Sequence, residues 1–201
     1  MNKRISFYAI ATSAFLLIAC SSAHAEGRVK IKGATANSSG GVTAVQGGAA
    51  SGPSGNAVAR GRRTTTDGQG NATSTSGGAV RGANGGGGVR AGQTNVNADG
   101  SASHQSGAAA STVYGSGSSS GGFTRGADGT VQGGRDTSAT GAAGGRFSGN
   151  SSYASGQGAN HNSAATNAAG NSYDGQTSAQ QGQGVSHSHS CSDAQGNPID
   201  C

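Results

Sequence analysis

Residues 140–187 read TGAAGGRFSGNSSYASGQGANHNSAATNAAGNSYDGQTSAQQGQGVSH, and one pattern is written there twice at an offset of 26 residues. Ala142, Ala143 and Gly144 return as Ala168, Ala169 and Gly170; Phe147 returns as Tyr173, Gly149 as Gly175 and Ser152 as Ser178. Gly156, Gln157, Gly158 and His161 come back as Gly182, Gln183, Gly184 and His187. A unit so poor in apolar side chains cannot close a hydrophobic core alone, so any order would have to come from backbone hydrogen bonding in stacked strands, from other chains or from a partner.

The rest of the chain is of the same kind. After residue 19 there is no Leu, Met or Trp; the large apolar residues are ten Val, two Ile and the aromatics Tyr114, Phe123, Phe147, Tyr153 and Tyr173. Burial of so few side chains falls far short of the conformational entropy lost on ordering the chain. Helix is disfavoured as well, because each of the 40 glycines costs a helix about 1 kcal/mol relative to Ala. The composition therefore predicts a largely disordered, low-complexity chain with marginal all-β character in short strands, and helix only in the N-terminal signal.

Fainter echoes run through the middle of the chain. Gly77, Gly78, Arg81, Gly82, Ala83 and Gly85 recur 44 residues later as Gly121, Gly122, Arg125, Gly126, Ala127 and Gly129. Val45, Gln46, Gly47 and Gly48 reappear 86 residues on as Val131, Gln132, Gly133 and Gly134. The pairs Asp67–Gly68, Asp99–Gly100, Asp128–Gly129 and Asp174–Gly175 read as turns. These features divide the chain into a signal peptide (1–19), a basic Gly/Ser/Ala-rich tether (20–58), a degenerate Gly-rich repeat region (59–139), the tandem 26-residue repeats (140–190) and a C-terminal Cys-bracketed loop (191–201).

The N-terminus carries the marks of export: Lys3 and Arg4 precede an apolar run over residues 5–19. Leu17, Ile18, Ala19 and Cys20 resemble the lipobox of bacterial lipoprotein precursors, a resemblance confined to the first 20 residues. It implies acylation of Cys20 and a lipid anchor. Ser21 and Ser22 behind the Cys fit an outer-membrane address, with periplasm or the extracellular space as alternatives. Ala23, His24 and Ala25 form a competing site for ordinary signal peptidase, which would release the chain after Ala25.

Charge is uneven along the chain. Residues 20–98 hold eight Lys or Arg against Glu26 and Asp67, whereas residues 99–201 hold three Arg against six Asp. Arg28, Lys30 and Lys32 alternate with Val29, Ile31 and Gly33, the period of a short edge strand. With Arg60, Arg62 and Arg63 they are the candidate contacts for an anionic polysaccharide or extracellular DNA. A solvated tether is the competing reading. No aromatic residue stands among the basic ones before Tyr114, so in sequence a stacking platform is missing.

At the C-terminus, Cys191 and Cys201 bracket a turn at Gly196, Asn197 and Pro198 and are expected to form a disulfide in an exported protein. His187, His189 and Cys191 alternate on one side of an extended segment. His161, His187 and His189 are thus candidate ligands for Zn or Cu, and a disulfide at Cys191 would remove its thiolate. No cofactor is implied. Gly117–Ser118–Ser119–Ser120–Gly121 matches the serine-hydrolase elbow in letters only, since the flanking strand and helix are absent from the pattern. The chain has no Lys after Lys32, which excludes a P-loop at the Gly run 85–88.

These observations point away from an enzyme. They point to an exported, lipid-anchored cell-surface or matrix protein that acts by tethering and weak multivalent contacts. Two alternatives stay open: a self-assembling fibre subunit released after Ala25, loosely similar to curli-type amyloid subunits though without their internal residue pattern, and a small periplasmic His-rich metal-binding protein.

Overall fold

The structure, a computed structural model, describes residues 27–201. The expectations for the signal, Cys20 and the cleavage after Ala25 lie outside these residues. Twelve long strands follow one another: β1 (Gly27–Ala36), β2 (Val42–Ser51), β3 (Ala57–Thr66), β4 (Ala72–Arg81), β5 (Gly87–Val96), β6 (Ala102–Thr112), β7 (Gly115–Arg125), β8 (Val131–Gly141), β9 (Arg146–Ala154), β10 (Gly158–Thr166), β11 (Ser172–Gln180) and β12 (Gly184–Ser192). A two-residue strand, β13 (Pro198–Ile199), ends the series. They form one antiparallel sheet in which strand order follows chain order.

The expectation of a largely disordered chain with short strands is thereby overturned. The strands from β1 to β12 run 9 to 11 residues, and the described residues contain no helix. The stretch 27–58, read as a tether, forms β1, β2 and the start of β3. The premise of a missing core holds, because no apolar or polar side chain among the described residues is buried. What orders the chain is the backbone. Each interior strand has its N–H and C=O groups paired on both sides, and those groups, not greasy side chains, are what a folded chain must satisfy.

Loop chemistry sets the pattern. In residues 37–41 the Asn37 N–H donates to the Gly41 carbonyl and the Gly40 N–H to the Asn37 carbonyl. The same two bonds recur in the loops starting at Gly52, Gly82, Asn97, Gly126, Gly141, Asn167 and Asp193. The fourth residue is a glycine with positive φ. Gly40, Gly55, Gly70, Gly85, Gly100 and Gly115 all carry positive φ at intervals of 15 residues. One strand plus one loop is therefore the true unit, and the sequence offsets of 26, 44 and 86 span two, three and six such units. Asp174–Gly175 is not a turn, contrary to the dipeptide rule, and sits inside β11.

Four loops are fastened further by their first side chain. Oδ1 of Asn37, Asp67, Asn167 and Asp193 accepts the backbone N–H groups of the third and fifth loop residues at 2.8–3.1 Å. Donors that favour the charged form hold four exposed carboxyls below their usual value of 3.8: chiefly Asn71 for Asp67, Ser101 for Asp99, Thr130 for Asp128 and Asn197 for Asp193. A lowered folded-state pKa contributes stability that is present above the unfolded value and lost as pH falls through the folded one. The melting temperature is expected to drop below about pH 4 for this reason. Asp67→Asn with Asp193→Asn keeps the two backbone bonds to Oδ1 in each loop, as Asn37 and Asn167 do already, gives up the bonds from the Asn71 and Asn197 side chains to Oδ2, and flattens that acid limb. Two superimposable pH profiles would refute the assignment.

Cys191 and Cys201 are joined in a disulfide, with their Cα atoms 5.4 Å apart. It holds β13 against the last residues of β12, pairing Ile199 with Cys191 and Pro198 with Ser192. Reduction is expected to free the amide of Ile199 to hydrogen exchange while protection in β1–β11 stays unchanged. A loss of protection spreading beyond β12 would contradict this local role.

Candidate functional site

Cross-strand partners in an antiparallel ladder point to the same side of the sheet. Following the partners from strand to strand sorts the side chains onto two faces of different chemistry. Arg28, Lys30, Lys32, Arg60, Arg62, Arg90, Arg125 and Arg135 share one face, here the charged face, and no strand carboxylate lies on it. The other face, here the hydroxyl face, carries Arg63, Arg81 and Arg146 together with the two strand aspartates, Asp136 and Asp174. Of the six cations singled out in sequence, five fall together and Arg63 does not. Arg90, Arg125 and Arg135 join them unannounced, because face membership depends on register.

The register makes straight rows. Lys30, Gly48, Arg60, Gly78 and Arg90 are successive partners on β1 to β5, and Lys32, Gln46, Arg62 and Ser76 form the next row. Cations thus stand on β1, β3 and β5, with the uncharged residues Gly48, Gln46, Gly78 and Ser76 on the strands between. Strands lie about 4.8 Å apart, so cations in a row are about 9.6 Å apart, and along one strand about 6.7 Å apart. A Cβ built on Gly78 would lie 3.5 Å from Arg90 Nε and 3.7 Å from Arg60 Cβ, so the two arginine stems flank a shallow groove floored by glycine. No carboxylate among the described residues pairs with these side chains.

The same face carries every ring of the strands. Phe123, Phe147, Tyr153 and Tyr173 lie on it, as do His104, His161, His187 and His189. Three rings lie down over glycines. A Cβ on Gly149 would sit 3.3 Å from Phe147 Cζ, one on Gly175 2.8 Å from Tyr173 Cζ, and one on Gly133 2.9 Å from Tyr153 Cε1. Covering a strand glycine in this way protects backbone that lacks a side chain. That explains the twofold occurrence of an aromatic two residues before Gly149 and Gly175. It also turns one flat side of each ring outward, with Phe147 40% and Tyr153 43% exposed.

The three candidate metal ligands do not converge. His161 and His187 occupy one row with Thr177 between them on β11. Their Nδ1 atoms are hydrogen-bonded to Ser151 Oγ at 2.8 Å and Thr177 Oγ1 at 2.9 Å. His189 stacks beside His187, ring centres 5.4 Å apart, and beside Tyr173 at 6.2 Å, while Cys191 is oxidised. Among the described residues no group of three or more His, Cys, Asp or Glu side chains could hold a metal ion.

The two faces differ in shape too. Two open depressions, of about 810 and 720 Å³, both lie on the hydroxyl face, one over β7–β12 and the other over β4–β8. The first is floored by side chains such as Ser120, Asp136, Asn150, Asn162 and Gln176. No family model matches the chain, and no curated protein or solved structure is significantly similar to it.

Proposed function

We propose that this protein is a non-enzymatic component of the cell surface or extracellular matrix, exported and held to the membrane by an acylated Cys20. Its sheet presents the charged face to anionic polymers and binds them by many weak contacts. One observation carries the reading: eight strand cations and no strand carboxylate share one face, against three Arg and two Asp on the other. The sorted face is one where negative charge meets no opposing carboxylate. The basic segment acts as part of a continuous sheet and supplies a patterned surface in place of a flexible reach.

The test is binding of polygalacturonate and of single-stranded DNA at rising salt. Replacement of Arg28, Lys30, Lys32, Arg60, Arg62 and Arg90 by Gln is expected to abolish salt-dependent binding of either polymer. Replacement of Arg63, Arg81 and Arg146 is expected to leave most of it. Equal losses in the two variants would sink the reading, and acyl labelling that persists in Cys20→Ala would remove the anchor from it.

A second reading, self-assembly into fibres, is favoured by the sheet's open ends. Among the described residues the outer edge of β1 is unpaired, and β13 covers only the last two residues of β12. The two edge strands run in opposite directions, so a second copy could continue the antiparallel ladder. Lys30 and Lys32 on β1 oppose this, as edge charges do in general. Concentration-dependent thioflavin binding would support it.

A further inference from the structure

We infer that the polymer is an extended acidic polysaccharide lying across the strands of the charged face, its carboxylates on the cations of β1, β3 and β5 and its sugar rings on Phe147 and Tyr173. The inference rests on the anionic-polymer reading above and names the class of polymer. The row that begins with Lys30, Arg60 and Arg90 continues through Ala108, Ser119 and Thr137 to Gly149, Ser163, Gly175 and His189. Phe147 and Tyr173 lie over two of those glycines. One row therefore offers cations on alternate strands at one end and outward ring faces on alternate strands, β9 and β11, at the other. Between them stand Ala, Ser and Thr side chains and the guanidinium of Arg135, which donates to Ser119 Oγ at 2.9 Å and to Ser106 Oγ at 2.8 Å and so adds one more cation along the path.

The shape and the interval choose the ligand. The face of a single open sheet, with no second layer over it, does not enclose a small molecule, so what binds there has to be a chain long enough to follow it. An extended 1,4-linked glycan turns each sugar over relative to the last, so that every second carboxylate and every second sugar face meet a surface on one side. That two-sugar interval is close to two strand spacings, about 9.6 Å, which is the interval of both the cations and the rings. A sugar's C–H face stacks on an aromatic ring without any charge requirement. A single-stranded nucleic acid carries one phosphate and one base in every nucleotide, so cations and rings serving it interleave. Here six of the eight cations of the charged face stand on β1, β3 and β5, in a part of the sheet without a ring, and only Arg125 and Arg135 lie among the rings.

Oligomannuronates of defined length and oligodeoxythymidylates of matched charge are to be titrated against the full mature chain at fixed ionic strength. Uronates of about five residues reach from β1 to β5 and those of about eleven reach β11, at one sugar per strand. The longer set is expected to bind at least tenfold more tightly, as linked sites do. Lys30→Gln, Arg60→Gln and Arg90→Gln together are expected to weaken both lengths. Phe147→Leu with Tyr173→Leu is expected to erase the gain of the longer chain and spare the shorter. Should that variant misfold, ring-proton shifts of Phe147 and Tyr173 in the unaltered protein, moved by the eleven-residue uronate and not by the five-residue one, give the same answer. Absence of a length gain, or tighter binding of the deoxythymidylates, overturns the inference while the anionic-polymer reading stands. Failure of every polymer to bind in a salt-dependent way overturns both.

Discussion

Gly158→Ala, at the first residue of β10, is expected to destabilise the sheet by about 2 to 4 kcal/mol, and Gly156→Ala, two residues earlier in the turn before it, by about 1 kcal/mol. Both glycines have positive φ, 90° and 75°. An alanine at either position meets the ordinary penalty for a Cβ in that conformation. At Gly156 nothing else lies within 4 Å of the added methyl. At Gly158 the methyl falls on the carbonyl oxygen of Ala179, a backbone atom of β11 that cannot step aside without breaking the ladder. The damage should also stay local. Strand backbones lie only against their immediate neighbours, and a side chain such as Arg135, bonded to Ser106 two strands away, adds little to that, so stability is close to a sum over neighbouring pairs and a break does not spread through a shared core. Hydrogen exchange is expected to rise from β10 to β13 in Gly158→Ala and to stay slow in β1–β8. Equal effects of the two substitutions, or exchange rising evenly over all strands, would show that the sheet is held by something other than pairwise backbone ladders.

The same one-dimensional order explains what could be read from the residues and what could not. The alternation of Arg28, Lys30 and Lys32 with Val29, Ile31 and Gly33 points to a short edge strand, and β1 is the edge, extended to ten residues. The bracketing of Gly196–Asn197–Pro198 by Cys191 and Cys201 points to the disulfide that is there. Asp67–Gly68, Asp99–Gly100 and Asp128–Gly129 fall in loops as their turn chemistry requires. Asp174–Gly175 does not, because the glycine's role is to lie beneath Tyr173, a relation between residues i and i+2 that turn rules do not contain. The 15-residue unit was hidden for a plainer reason. It is written in loop glycines of positive φ, and in a chain with 40 glycines those positions do not stand out. The expectation of disorder came from weighing side-chain burial alone; a chain whose loops fix each reversal can pair its backbone without burying anything. Least legible was the sorting of charges onto one face. Which side a residue takes depends on the count of residues in every strand and loop before it, so Arg62 and Arg63 look equivalent in sequence and end on opposite faces.

That dependence on count gives the second large effect. Removing residues 102–130 deletes β6 and β7 with the two loops that follow them, and keeps the loop 97–101 to join β5 to β8. Val96, whose partner is Ala102 on the charged face, then meets Val131, itself a charged-face residue. Everything downstream keeps its side. Removing only residues 102–115 deletes β6 with its short turn and brings Ser116, a hydroxyl-face residue, opposite Val96. Every later strand is thereby turned over. Phe147, Tyr173 and the remaining histidines move to the side away from Lys30, Arg60 and Arg90, while Asp136 and Asp174 join those cations. Both shortened chains are expected to fold, since the backbone of each strand lies against its neighbours alone, and circular dichroism and amide protection should show a sheet in each. Their binding should differ sharply. The chain lacking 102–130 is expected to keep the tenfold or greater preference for long over short oligomannuronates, and the chain lacking 102–115 to lose it entirely. Two folded variants with the same preference would mean that the rings and the cations do not act from one face, whatever each does alone.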